Sequence, residues 1–202
     1  MFSEEPIFFQ SETDLPTRAD ALQNRAEILQ VARRLFDEEG VENVSMSQIA
    51  REANVGKGTL YRHFRNKADL CHVLLDDDQR LFQEQTLDYL RHSQDTPCEK
   101  LRQFIIQVCQ FTQRNLELLL EMSQGRIARS AEYLNHPAHY WQWQTVTGLL
   151  RQIEDVSDVE YVADIIYIML DPATYYFQRF IRNYDHQRIV DGILYLLEQL
   201  TQ

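Results

Sequence analysis

The stretch GKGTLYRHF, residues 56–64, decides the fold. Its second glycine stands inside sequence that otherwise favours a helix, where glycine costs about 1 kcal/mol relative to alanine. On a helical wheel with Leu60 turned inward, Phe64 falls beside it, whereas Gly58 and Arg62 fall on the opposite face. The missing side chain therefore faces outward. Either a second helix packs tightly against it, or a molecule outside the chain comes very close.

The sequence before this stretch predicts two further helices. The first ends at Gly40, a residue that favours the left-handed conformation of a C-cap. Ser45 and Gln48 have the spacing of a capping box and predict the start of a second, short helix, which ends at the turn around Asn54. With the third helix over residues 57–64, this is a helix-turn-helix, whose second helix enters the DNA major groove.

The outward residue types suit contact with DNA. An arginine such as Arg62 can donate two hydrogen bonds to guanine. The hydroxyl groups of Thr59 and Tyr61 suit phosphate oxygens. Lys67 begins a fourth helix, where its charge adds to a helix N-terminus that already favours an anion. Each of these side chains could instead be a solvated or core residue, and for Phe64 we expect the core.

The charge distribution agrees with a small nucleic-acid-binding module on an acidic body. The chain has a formal net charge of −11. Between residues 45 and 67 there are five basic residues and one acidic residue, whereas from residue 68 onward there are 11 basic and 20 acidic residues. A basic island on an acidic chain is typical of local rather than general attraction to nucleic acid.

The pattern IxxxARRLFxxxGxxxxSMSQIAxxANVxxGTLYRHFxNKxxL, from Ile28 to Leu70, resembles the DNA-binding domain of the TetR family of bacterial transcriptional repressors. Two positions depart from the usual pattern: Asn54 replaces a glycine, and Gly56 replaces a serine cap. The resemblance implies a homodimer that binds a double-stranded DNA operator and is released by a small molecule held in an all-α C-terminal domain. The positions that it implies face DNA are Ser45, Ser47, Lys57, Gly58, Thr59, Tyr61, Arg62, His63 and Lys67.

The rest of the chain also has helical patterning, so we predict an all-α fold. The expected helices lie near residues 97–113, 114–134, 137–154, 158–183 and 185–201, with a kink near Asp171 because Pro172 follows it. We predict three parts: an N-terminal arm (1–20), a helix-turn-helix DNA-binding domain (21–82), and a helical effector-binding and dimerisation domain (83–202).

Aromatic residues are dense in the C-terminal part. They form either a core with a dimer interface, or a pocket for a small, mainly apolar or aromatic effector. The apolar stripes of the last two helices agree with the dimer interface that the resemblance implies. The residues predicted to line the pocket are Phe104, Phe111, Met122, Trp141, Trp143 and Tyr176.

Other classes of protein find little support in the sequence. No apolar run is long enough for a membrane span, and the N-terminus lacks the features of a signal peptide, so we expect a cytoplasmic, nucleoid-associated protein. His136 and His139 share a helix face but have no third ligand, so no metal is predicted. No nucleophile motif or phosphate loop occurs, so no enzyme activity and no cofactor are predicted.

The sequence therefore predicts a transcriptional regulator, most simply a repressor released from a palindromic operator by its effector. A second hypothesis is a ligand-independent DNA-binding or adaptor protein whose C-terminal domain binds a protein partner. A third is a helical enzyme or ligand carrier that retains a helix-turn-helix.

Overall fold

The computed structural model describes residues 18–123 and 137–200, with side chains over residues 22–123 and 140–200. The described residues are helical and contain no strand, which confirms the all-α prediction. Residues 1–17 of the predicted arm (1–20), residues 124–136 and the side chain of His139 lie outside the described part of the chain, and residues 18–20 belong to the first helix. The helices are α1 (Arg18–Glu39), α2 (Met46–Glu52), α3 (Lys57–His63), α4 (Lys67–His92), α5 (Pro97–Ser123), α6 (Pro137–Leu150), α7 (Val159–Met169), α8 (Pro172–Tyr176), a π-helical turn (Phe177–Ile181) and α9 (His186–Leu200).

Two hydrophobic cores organise these helices. The first joins α1, α2, α3 and the first two turns of α4, which we call the reading head. The second joins the remainder of α4 with α5 to α9, which we call the body. Within α4, Leu74 packs into the first core and Leu75 into the second. The predicted domain boundary at residue 82 also lies within α4, so this helix belongs to both parts.

Local signals set the helix ends of the reading head as predicted. Gly40 has φ +83° and Asn54 has φ +51°, both in the left-handed region. The Oγ of Ser45 accepts a hydrogen bond from the backbone N–H of Gln48 at 3.2 Å. The side chain of Gln48 donates to Glu39 at 2.8 Å. The structure thus shows the forward hydrogen bond of the capping box, while the Gln48 side chain ties α2 to the end of α1.

Two helices were predicted at residues 97–113 and 114–134, and the structure confirms a break between them. Helix α5 is kinked at Asn115, whose backbone angles (φ −114°, ψ 16°) are not helical. The Asn115 side chain donates a hydrogen bond to the carbonyl of Phe111 at 3.1 Å, so it competes with the helical backbone hydrogen bonds. The second piece is described as far as Ser123, and the predicted end at residue 134 lies outside the described residues.

The predicted helix 158–183 is divided into three pieces. Helix α7 ends at Met169, and the side chain of Asp171 then caps α8 by accepting from Ala173 and Thr174. Pro172 occupies the first turn of α8, where a proline needs no N–H partner. This confirms the kink near Asp171. The π-helical turn that follows was not predicted from the sequence.

Candidate nucleic-acid interface

Helix α3 presents one apolar face to the reading head. Leu60 and Phe64 are buried, as the helical wheel predicted. The guanidinium carbon of Arg25 on α1 lies 5.3 Å from the centre of the Phe64 ring, a cation–π contact that fixes the end of α3. These contacts hold α3 in one orientation, which determines what its opposite face can touch.

The opposite face of α3 is open. Among the described residues, no neighbouring atom outside the helix's own local backbone lies within 4 Å of a Cβ built on Gly58. Lys57 and Arg62 are exposed, and Tyr61 is 49% exposed. A tight helix–helix contact therefore does not explain Gly58 within the described structure. Close approach by a molecule outside the chain stays the prediction for this position.

Two side chains on this face are linked before any partner arrives. The Arg62 guanidinium donates a hydrogen bond to the Oγ1 of Thr59 at 2.9 Å. The Thr59 hydroxyl still has its own hydrogen to donate. His63 is half-buried, and its ring centre lies 6.3 Å from that of Phe64. Arg62 is thus held along the surface of α3, one turn from the open position at Gly58.

The two serines lie on the neighbouring helix. Ser45 and Ser47 are both exposed at the start of α2. The Oγ of Ser45 is engaged by its capping bond, whereas its hydroxyl hydrogen stays available to an acceptor. Thr59 and His63 on α3 are half-buried, and the other positions in this group are exposed. We call the predicted positions on α2 and α3 the reading face: Ser45, Ser47, Lys57, Gly58, Thr59, Tyr61, Arg62 and His63.

Lys67, the ninth position that the resemblance implies, is directed elsewhere. Its Nζ donates to the carbonyl of Val41 at 2.8 Å and to that of Val44 at 3.3 Å. It also lies 3.3 Å from a carboxylate oxygen of Glu121 on α5, and its side chain is 18% exposed. Sequence reasoning missed Glu121 because nothing in a helical pattern shows which distant turn a carboxylate will meet.

Three of the six residues predicted to line an effector pocket come together in the body. The rings of Phe104 and Phe111 lie 6.4 Å and 5.1 Å from the ring of Phe82, measured between centres. The Trp141 ring lies edge-on to Phe82 at 5.6 Å and to Phe104 at 5.7 Å. We call these four residues the aromatic cluster. The sequence reasoning missed Phe82, the ring that contacts the other three.

The other three predicted residues lie apart from the cluster or at its margin. Trp143 donates its indole N–H to Asp164 on α7 at 2.8 Å. Met122 is half-buried and packs against both hydrophobic cores. Tyr176 is 42% exposed, and its ring centre lies 5.1 Å from that of Phe180 on the surface of the body. A shared pocket for Tyr176 and Trp141 stays a prediction.

The reading head matches a known family. The sequence profile of the bacterial regulatory proteins of the tetR family matches residues 28–74. An HTH-type transcriptional regulator of Staphylococcus aureus strain USA300 is 54% identical over 65 residues, which are 32% of this chain and 35% of the relative. Residues 28–74 therefore form a helix-turn-helix domain of the tetR type. The match spans about a third of the length of the curated relatives, so the relationship by sequence lies in the reading head.

Solved structures resemble this chain over both the reading head and the body. A transcriptional regulator from Saccharomonospora viridis, solved in complex with choline, aligns with a TM-score of 0.66 at 19% identity over 88% of this chain and 96% of that one. A TetR-family regulator from Streptomyces coelicolor aligns with a TM-score of 0.57 at 25% identity over 89% and 95%. At the identity of the first structure the likeness concerns the fold alone.

Among the described residues, no group of three or more histidines, cysteines and carboxylates is placed to hold a metal ion. The described helices include none that is both long enough and apolar enough to cross a membrane.

Proposed function

We propose that this chain is a regulator of transcription of the TetR family, which binds specific DNA sequences and places α3 in the major groove. The open outward face of α3 carries the proposal. Its glycine has no neighbour in the described chain to explain it, and Lys57 and Arg62 flank it on the exposed side. A glycine between two cations lets a base edge approach the backbone while the charges meet phosphates and guanine.

Within the reading face, roles follow from side-chain chemistry. Arg62 reads a base, because its planar donors match guanine O6 and N7. Lys57 adds charge at the start of α3, where the helix dipole also favours an anion. The hydroxyl groups of Ser45, Thr59 and Tyr61 hydrogen-bond the phosphate backbone on either side, which sets register without reading sequence. Ser47 and His63 extend these backbone contacts.

We propose that two copies associate through the outer surface of α7 to α9. Large apolar residues are exposed there, more than single scattered residues would explain. A cleft of about 650 Å³ lies on the same surface, between the end of α7, the π-helical turn and α9. The Oε1 of Gln178 in that turn is buried without a hydrogen-bond partner, and a second copy could supply the donor. The exposed apolar residues are Tyr161, Ile168, Tyr176, Phe177, Phe180, Ile181, Tyr195, Leu196 and Leu200.

This pairing would make the operator nearly palindromic. Two α3 helices related by a twofold axis enter successive major grooves if they are separated by one DNA turn, about 34–36 Å. An effector that prefers a conformation with another separation lowers operator affinity by mass action. In this proposal the protein is a repressor, because the effector releases it from the operator. It is cytoplasmic, because its target is operator DNA.

The aromatic cluster supports a small, mainly apolar or aromatic effector. The Saccharomonospora viridis neighbour was solved with choline, whose quaternary ammonium is a cation of the kind that aromatic faces attract. In this chain the four rings contact one another, so such a ligand would have to separate Trp141 from the phenylalanines. The same contact favours the second candidate, a ligand-independent regulator or adaptor whose body binds a protein.

Selection of bound sequences from random duplex DNA tests the DNA-binding function. We expect a near-palindromic site, bound more weakly as salt rises because phosphate contacts release counterions. Failure to enrich any sequence, together with binding that does not depend on salt, would contradict the proposal. A shift of Trp emission and of the melting temperature on titration with choline or planar aromatic compounds would favour the effector. Their absence across such a panel would favour the ligand-independent candidate.

A further inference from the structure

We propose that Lys67 is a positioning residue that fastens the reading head to the body through Glu121, and that it does not contact DNA phosphate. This inference rests on the proposed DNA-binding function. It departs from what the family resemblance implies for this position.

The first argument is the number of donors on the Lys67 ammonium. An ammonium group has three N–H donors. The Nζ of Lys67 has acceptors in the carbonyls of Val41 at 2.8 Å and Val44 at 3.3 Å, and in a carboxylate oxygen of Glu121 at 3.3 Å. The carbonyl of Glu42 lies at 3.5 Å as a further acceptor. All three donors are therefore occupied within the protein, and a phosphate would have to displace one of these acceptors.

The second argument is burial of the pair. The side chains of Lys67 and Glu121 are 18% and 13% exposed. Separating a buried ion pair is costly, because the charge that stays behind is buried without a partner. For Lys67 to reach a phosphate, the carboxylate of Glu121 would be left buried and unpaired. Lys57 and Arg62 face no such obstacle, since both lie on the exposed reading face.

A second glutamate holds the same turn from its other side. The backbone N–H of Val41 donates to the carboxylate of Glu117 at 2.8 Å. Glu117 and Glu121 are one helical turn apart on α5, so they share a face. The turn between α1 and α2 is thus bound to the body twice: directly through an N–H, and through carbonyls that Lys67 bridges to Glu121.

These contacts lie where the two cores meet. The side chains of Leu118 and Met122, on the same turns of α5, pack against both hydrophobic cores. The turns follow the distorted residue Asn115, so they form the last section of α5 beyond a local break. Because α2 and α3 follow the fastened turn in the chain, the Lys67–Glu121 pair sets the direction of α3 relative to the body.

The salt dependence of operator binding separates the two roles of a lysine. Removing one phosphate contact lowers the slope of log K against log salt by about 0.9. We would measure that slope for the wild-type chain, for Lys67→Met, and for Lys57→Met as the matched control on the reading face. We expect Lys57→Met to lower the slope by about 1.8, because each operator complex of the proposed dimer loses two such contacts. We expect Lys67→Met to keep the wild-type slope while operator affinity falls roughly tenfold or more because α3 is misdirected.

Glu121→Gln gives a second test, because the two roles of Lys67 predict opposite changes in operator affinity. This test can be made even if Lys67→Met does not fold. If Lys67 contacted phosphate, removing the competing carboxylate would leave operator affinity unchanged or raise it. The positioning role predicts that affinity falls, and that the double variant Lys67→Met/Glu121→Gln is no weaker than the worse single variant. A lowered slope for Lys67→Met, or unchanged or raised affinity for Glu121→Gln, overturns the proposal. Failure of the DNA-binding function itself looks different, because the wild-type chain would then show no selected site.

Discussion

The reading head and the body differ in how they bury their apolar side chains. The reading head buries most of its large apolar residues, apart from Leu22 and Tyr61, and leaves a polar, basic face outside. The body also has a full core, yet it leaves a row of large apolar side chains exposed on α7 to α9. The reading head is therefore complete apart from a charged, hydrated partner, whereas the body presents a surface that a second copy would cover. The difference predicts that binding by the reading head depends on its charged residues, whereas assembly through the body depends on apolar packing.

The largest effect should come from the core of the body. Phe104→Ala removes a fully buried ring that contacts Phe82 and Trp141, so we expect a loss of about 3–5 kcal/mol in the free energy of unfolding. Urea unfolding followed by Trp emission measures it, because both tryptophans lie in α6. A loss below about 1 kcal/mol would mean that the cluster is not a packed core, and would favour a preformed cavity there.

The outer surface of the body supplies the next effect. Leu196→Arg places a charge on the exposed apolar surface of α9, so we expect monomers in sedimentation and operator binding weakened by about 100-fold or more, since the two half-sites are no longer bound together. Leu81→Arg is the matched control, because Leu81 is equally exposed but lies on α4. If both variants sediment as the wild-type chain does, α7 to α9 do not form the interface.

The two parts also differ in how far the sequence could predict them. In the reading head, a few short-range signals determine the structure: Gly40, Asn54, the Ser45 cap and the burial of Leu60 all follow from neighbours within a turn. In the body the decisive contacts are long-range. Trp141 meets Phe82 across 59 positions in the sequence, which no local pattern encodes.

The predicted site divides in the same way. Gly58 and Arg62 lie on the exposed face of α3 because helical periodicity fixes which side is opposite Leu60. The sequence groups Lys67 with them only by the family resemblance and by its place at the start of α4, whereas its inward direction depends on Glu121, 54 positions away. The sequence groups Tyr176 with Trp141 by residue type, whereas in the structure Tyr175 is buried and Tyr176 is exposed.

A moderate effect is expected from one base contact of the reading head. Arg62→Ala should relax the preference at one base position in each half-site by about 1–3 kcal/mol, while other positions keep their preference. Repeating the random-sequence selection with the variant measures this. Arg91→Ala, an exposed arginine at the end of α4, is the control and should leave the selected site unchanged. A uniform loss across all positions would assign Arg62 to the phosphate backbone instead.

The smallest effect concerns the reactivity of the three thiols. Each hydrophobic core contains one buried cysteine. Burial raises the pKa of Cys71 in the reading head and of Cys109 in the body to about 12. At pH 8 both are almost wholly protonated and shielded, so iodoacetamide should label Cys98, which is half-buried, well before either of them. Mass spectrometry of the labelled peptides follows the three rates. Labelling of Cys71 as fast as that of Cys98 would show that the core of the reading head opens readily.

The central claim is that DNA approaches the outward face of α3 at Gly58, and the same substitution at two glycines tests it most directly. Gly58 and Gly148 both lie in helices, and a Cβ added at either meets no atom within 4 Å. Gly58→Leu and Gly148→Leu should therefore each keep or raise the melting temperature, since leucine favours a helix by up to about 1 kcal/mol over glycine. We predict that Gly58→Leu weakens operator binding by roughly tenfold or more, whereas Gly148→Leu leaves it unchanged. Wild-type operator affinity in a folded Gly58→Leu variant would contradict the account.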